Sequence, residues 1–128
     1  MLPFDPNKEK YISLATFRRS GKEVRTPVWV AEHDGTLYVF SENKAGKVKR
    51  IRANGRALFA ACNFNGQVIK SGWVEGTARI VEDQSEIDAM YREFARKYGL
   101  IMVVTNFLAR LSGRFERRAI IAIDIPAP

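Results

Sequence analysis

Seven cations, Lys44, Lys47, Lys49, Arg50, Arg52, Arg56 and Lys70, fall between Asn43 and Val74, and no Asp or Glu lies among them. The chain has 21 Lys+Arg and 14 Asp+Glu, so outside this window 14 basic residues face 14 acidic ones, and the whole net charge of +7 comes from one quarter of the sequence. Charge concentrated in this way points to a localised site for phosphate or carboxylate; the competing reading is a solvated helix face whose lysines aid solubility. Other reactive groups are scarce. Cys62 is the only cysteine and His33 the only histidine, which argues against an internal disulfide, a Cys/His metal cluster and a conventional catalytic triad. His33 precedes Asp34-Gly35 and reads as a turn residue. Tyr11 and Glu75 are candidates to face a pocket, although Glu75 has Arg79 two positions along the same strand face as an ion-pair partner.

The elements that must position the basic window follow from periodicity. Tyr11 to Phe17 alternates and ends in a turn at Arg19-Ser20-Gly21-Lys22. A second strand runs from Val24, with Val24, Thr26, Val28 and Val30 on one face and Arg25, Pro27, Trp29 and Ala31 on the other, until His33-Asp34-Gly35 turns the chain into a third strand, Thr36 to Ser41. Pro27 donates no ladder hydrogen bond, so the second strand is expected at an edge or interrupted by a bulge there, with backbone groups free to meet a ligand. Asn43 to Ile51 changes to a helical period through Ala45, Val48 and Ile51, and Asn54-Gly55 ends this short basic helix. Ala57 to Cys62 and Trp73 to Val81 read as the fourth and fifth strands. A second helix starts at Asp83 as N-cap, buries Ile87, Met90, Tyr91, Phe94 and Tyr98, and stops at Gly99. Leu100 to Leu111 is assigned to a further helix, and Arg117 to Ile125 to a sixth strand.

Six strands with mostly hairpin-length links suit a mainly β, six-stranded antiparallel barrel with helices outside, in a single domain spanning residues 1–128. Such a barrel is filled by its own side chains, which puts a large ligand on the outside or at a subunit contact. The longest apolar run, Leu100 to Val104, is far short of a membrane span, and the first ten residues lack a signal-peptide stretch, so a soluble cytoplasmic protein is expected.

Five segments, Tyr11–Gly21, Val24–Val30, Gly35–Ser41, Gly46–Arg52 and Val74–Arg79, resemble in order and separation the flavin- and deazaflavin-dependent split β-barrel oxidoreductases related to pyridoxamine 5′-phosphate oxidase. The resemblance covers roughly two thirds of the chain and is nearest to short proteins that use a deazaflavin. It implies a homodimer with a deazaflavin (F420) or FMN coenzyme across the interface. By the same resemblance Thr26, Pro27, Val28 and Trp29 line the ring, Ser41 marks the end of the third strand, and Lys47 and Arg50 contact phosphate. Helix N-terminal amides near Gly46 and the forked guanidinium of an arginine independently suit an anion there. The implied reaction is hydride transfer to an unidentified small organic acceptor, for which no side chain need act as acid or base. Asn54-Gly55-Arg56 stands where relatives more usually have Asn-Pro-Arg, a difference confined to the turn.

Two other readings use the same residues. One is a non-enzymatic binder of flavin, deazaflavin or haem on this scaffold, since fold alone does not imply function. The other is a nucleic-acid-binding domain, suggested by the basic window with Phe59, Phe64 and Trp73 nearby; it is disfavoured because these aromatics read as strand core and no nucleic-acid motif is present.

Overall fold

The alternation marks the strands correctly. In order they are β1 (Tyr11–Phe17), β2 (Glu23–His33), β3 (Thr36–Glu42), β4 (Arg56–Ala61), β5 (Val74–Ile80) and β6 (Arg118–Asp124), with helix α1 (Gly46–Asn54) after β3 and α2 (Gln84–Tyr98) before β6. In this computed structural model, which describes residues 2–42, 46–99 and 118–125, the strands close a barrel in the order β1-β2-β3-β6-β5-β4, and every pairing is antiparallel. The sequence-assigned helix at Leu100 to Leu111, the start of the basic helix at Asn43 to Ala45 and the start of the last strand at Arg117 lie outside the described residues.

Inward-facing residues fill the barrel. Ile12 and Leu14 of β1, Val28 and Val30 of β2, Leu37 and Val39 of β3, and Ile121 and Ile123 of β6 form one core with Phe59 and Ala78. Val48 and Ile51 of α1 belong to that same core, so the three-residue spacing that marks this helix also places it as a plug at one end of the barrel. Gly55 ends α1 at φ +70, with its N–H donating to the Ile51 carbonyl at 2.9 Å, a cap that favours glycine. At Gly76 the fit of β5 is tight, because a Cβ there would stand 2.8 Å from Ile123 Cγ2 and 3.0 Å from the Asp124 carbonyl oxygen.

A second core lies outside the wall. Asp83 caps α2 by accepting the Glu86 N–H at 3.0 Å, and Met90, Phe94 and Tyr98 pack on Ala31, Tyr38, Phe40, Ile120 and Ala122. β3 and β6 are thereby buried on both faces, which is why consecutive residues of β6 from Ala119 to Ile123 are all apolar. The end of α2 is also woven into the backbone. The Tyr98 hydroxyl accepts from the Val30 N–H at 2.9 Å and lies 2.7 Å from the Lys10 carbonyl, while Lys97 Nζ donates to the carbonyls of Glu9 and Val30 at 2.6 and 2.7 Å and to that of Pro6. Tyr98→Phe should therefore leave backbone groups buried without partners and lower stability by about 1–3 kcal/mol, read by urea unfolding; an unchanged midpoint would show that these bonds add nothing.

Several expected boundaries move. The fourth strand begins at Arg56 and ends at Ala61, leaving Cys62 in an isolated bridge with Ile69, and Trp73 lies just outside β5, where Arg25 sits over its ring at 4.5 Å. Glu75 does not pair with Arg79. It pairs across the sheet with Arg56 at 3.1 Å, because cross-strand and diagonal neighbours come closer than residues two apart along one strand. Arg79 instead meets Glu86 at 2.9 Å and Asp124 at 3.6 Å, and Glu86 also accepts from the Tyr38 hydroxyl at 2.7 Å. Burial, and then that bond to a carboxylate, push the Tyr38 hydroxyl up to about 12 from its ordinary 10.0. A phenol whose folded-state value is raised contributes stability that is complete below about 10 and lost as pH climbs towards 12. Stability measured from pH 9 to 12 should fall across that range, and Tyr38→Phe should flatten the fall; an identical pH profile in the variant would refute the assignment.

Candidate functional site

The barrel is split beside β2. Glu23 to Trp29 pair with β1, but pairing with β3 begins only at Val30 opposite Val39, and β3 continues along β6 instead. Among the described residues no strand covers the other edge of β2 from Glu23 to Trp29. Pro27 lies in the middle of that uncovered edge, so the proline marks the split and no bulge is needed. On its outer side Pro27 packs against the loop that follows β4, whose Gly66 would bring a Cβ within 3.3 Å of the proline Cδ.

Alternation divides the four expected ring contacts into two pairs. Pro27 and Trp29 point outward, and Trp29 stacks on Tyr98 with ring centroids 4.4 Å apart. Thr26 and Val28 point inward; Val28 is buried in the core, so its backbone alone is available at the edge. Thr26 differs from Val28 in having a polar atom, Oγ1, that is buried without a hydrogen-bond partner. Ser41 is buried near the end of β3, in register with Ala119.

At the α1 end of the split, Lys47 occupies the first turn of the helix and is half-buried. Arg50 donates from Nε to Thr16 Oγ1 at 2.7 Å, which fixes the plane of its guanidinium. Its Nη1 then reaches the helix start, where a Cβ on Gly46 would stand 2.7 Å away and would push the guanidinium aside. Burial, and secondly the Arg18 charge, hold Arg50 below its ordinary range, an unfavourable environment that a bound anion would relieve. First-turn amides, the Lys47 ammonium and an oriented arginine fork form a donor set matched to phosphate. The unpartnered Thr26 hydroxyl adds a polar group on the adjoining strand, so the residues present fit a phosphate-bearing coenzyme.

Trp29 is opposite Tyr11 at one end of β1, whereas Arg50 is bound to Thr16 near the other. Five residues of strand separate the two positions, about 16 Å at 3.3 Å per residue. The structure therefore holds Trp29 and Arg50 apart, Trp29 on the outer face of β2 and Arg50 against Thr16 of β1. His33 is the last residue of β2, in register with Thr36, so the turn is made by Asp34 at φ 51 and Gly35 at φ 80 and not, as the sequence indicates, by His33 itself, whose Nε2 is 3.4 Å from Asp34 Oδ2.

Sequence reasoning missed a further feature. Arg18, given no role by the sequence, and Arg19, read only as a turn residue, join Lys49, Arg50 and Arg56 around an open cleft of 810 Å³ between the β1–β2 turn and α1, with Phe17 in its wall. The adjacent Arg18-Arg19 pair was a visible signal, but its partners lie more than 25 positions away and only the hairpin's return onto α1 joins them.

An antiparallel six-stranded barrel with an opened edge, a basic helix at one end and a second helix across the outer wall defines the split-barrel class. Residues 5–126 match the pyridoxamine 5′-phosphate oxidase family, and the chain belongs to that family. Solved structures with the same fold include a haem storage protein from Vibrio cholerae, 12% identical with TM-score 0.73, the match covering 96% of this chain and 86% of that one. A FAD-binding protein from Mesorhizobium loti is 20% identical with TM-score 0.64, covering 95% and 85%. An F420 reductase is 18% identical with TM-score 0.60, covering 94% and 90%. No curated protein sequence matches the chain. Among the described residues no group of His, Cys, Asp and Glu is arranged to hold a metal ion, and no helix is long and apolar enough to cross a membrane.

Proposed function

We propose that this protein is an oxidoreductase that binds a deazaflavin coenzyme (F420), or alternatively FMN, along the open edge of β2. The observation that carries this reading is the Arg50 guanidinium, held by Thr16 beside the glycine that starts α1. Lys47, Arg50 and the first amides of α1 would hold the phosphate, with Thr26 and the backbone around Pro27 and Val28 meeting the body of the coenzyme. The similarity to an F420 reductase and a FAD-binding protein supports a tricyclic redox ligand.

When bound, the reduced coenzyme supplies a hydride to an electron-poor small organic acceptor. The chain's part is to bind and orient. Thr16 fixes Arg50, Arg50 and Lys47 fix the charged end, and Trp29, braced on Tyr98, gives the ring end a rigid wall. No proton transfer by a side chain is required, in keeping with a site whose described residues contain no histidine or carboxylate. Because no strand among the described residues covers the β2 edge, a second copy of the chain is proposed to close the site and exclude water, giving a homodimer; a cytoplasmic setting fits the single buried thiol.

A non-enzymatic carrier is the second reading, favoured by the fold shared with a haem storage protein. Titrating purified protein with F420, FMN and haem, and following absorption and fluorescence, identifies the ligand. Turnover of a reduced coenzyme pool with a panel of acceptors then separates enzyme from carrier. A strict monomer with no saturable uptake of any of the three would defeat the proposal.

A further inference from the structure

The β1–β2 ladder stops at Tyr11 opposite Trp29, and its next pair would be Lys10 opposite Val30. Side chains from the end of α2 take the place of that pair. The Tyr98 hydroxyl stands between the two strands, accepting from the Val30 N–H at 2.9 Å and donating to the Lys10 carbonyl at 2.7 Å. Lys97 Nζ donates to the Val30 carbonyl at 2.7 Å, to that of Glu9 at 2.6 Å and to that of Pro6. One ammonium thus joins β2 to the segment before β1, residues 2–10. Among the described residues no carboxylate is ion-paired with it.

The character of this joint differs from that of a strand pair. A ladder opens only with its sheet, whereas bonds from one lysine and one tyrosine can open while the barrel stays closed. Burial pulls the Lys97 ammonium down to about 8 from its ordinary 10.5, against the charges of Asp5 and Glu9, so the joint is held against a desolvation cost. Elsewhere the segment is held by the Glu9–Lys70 ion pair at 2.7 Å and by Phe4, edge-on to the Phe59 ring at 6.1 Å. Beside it lies an open hollow of 500 Å³ lined by Leu2, Phe4 and Glu32. The joint also adjoins Trp29, whose ring lies flat on that of Tyr98, with 4.4 Å between centroids and 9° between planes. Tyr98 therefore holds Trp29 by its face and the segment by its hydroxyl.

We propose that Lys97 is a positioning residue, which fastens residues 2–10 to β2 as a detachable strap and so steadies Trp29 on Tyr98. The consequence for binding rests on the proposed place of Trp29 beside the coenzyme ring: a docked strap and a bound coenzyme favour each other by one and the same factor.

Lys97→Met keeps the length of the side chain and removes its donors. In the full chain without ligand, hydrogen exchange at the Lys8 and Glu9 amides, which donate to the Asp5 carbonyl at 3.0 and 3.1 Å, should quicken about 10- to 100-fold. Acrylamide quenching of Trp29, read in a Trp73→Phe background, should rise with it. Ile121→Val weakens the fully buried barrel core and should move neither readout. In titrations with FMN and F420, Lys97→Met should bind the preferred coenzyme about 3- to 10-fold more weakly, and saturating coenzyme should slow Lys8 and Glu9 exchange in the wild type by that same factor. Unchanged exchange in Lys97→Met, or faster exchange with Trp29 quenching unaltered, would overturn the strap, as would equal coenzyme affinity in the two proteins. A wild type that takes up neither coenzyme would count against the coenzyme reading instead, because exchange and quenching test the strap without ligand.

Discussion

Arg50→Ala is expected to weaken coenzyme binding about 10- to 100-fold, the equivalent of roughly 1.5–3 kcal/mol for hydrogen bonds to a charged group. Three features make Arg50 the centre of this expectation. Its Nε is committed to Thr16, its Nη1 is directed at the start of α1, and its surroundings already disfavour an unneutralised charge. Arg50→Lys should not restore affinity, because a lysine cannot bond Thr16 and grip phosphate with a fixed fork at once. The alanine variant also deprives the buried Thr16 hydroxyl of its donor, so thermal unfolding must be followed in parallel. Lys47→Ala, on the first turn, provides the independent check. Coenzyme titrations indistinguishable from wild type in both variants would remove the phosphate assignment.

Phe94→Ala should destabilise the protein by about 3–5 kcal/mol, the usual cost of deleting a buried aromatic ring. Phe94 is fully buried at the centre of the outer core, 4.2 Å from the Phe40 ring and 5.9 Å from that of Tyr98. Its loss opens a cavity between α2 and the wall formed by β3 and β6. The barrel interior is a separate core, and α2 reaches the β2 edge through Tyr98 and Lys97, so damage should begin at α2 and spread to Trp29. Urea unfolding gives the magnitude, and Trp29 fluorescence in a Trp73→Phe background reports the local loosening. A loss under about 1 kcal/mol would mean that the helix is not held by this contact.

The strands were legible because one face of each meets a packed interior and a period of two survives that demand. Helix α2 was legible for the same reason at a period of 3.6, reinforced by Asp83 and Gly99 at its ends. The basic window and the family resemblance picked out Lys47, in the first turn of α1, and Arg50, in the middle of the helix, whose guanidinium reaches back to Gly46. What the pattern could not convey was partnership. Glu75 and Arg79 look paired along one strand, yet each takes a cross-strand or helical partner, and the Val28 side chain lies in the core, which leaves only its backbone at the edge.

The residues alone determined the β-rich class, the antiparallel order, the helix boundaries to within a few positions and the concentration of positive charge, because each follows from local periodicity, turn chemistry or composition. Tertiary structure decided where β2 lies uncovered, that Thr16 aims Arg50, and that Arg18 and Arg19 join Lys49 and Arg56. These depend on strand register and on hairpins folding back over long sequence separations, where a shift of one residue would reverse every side chain and no local signal records the outcome.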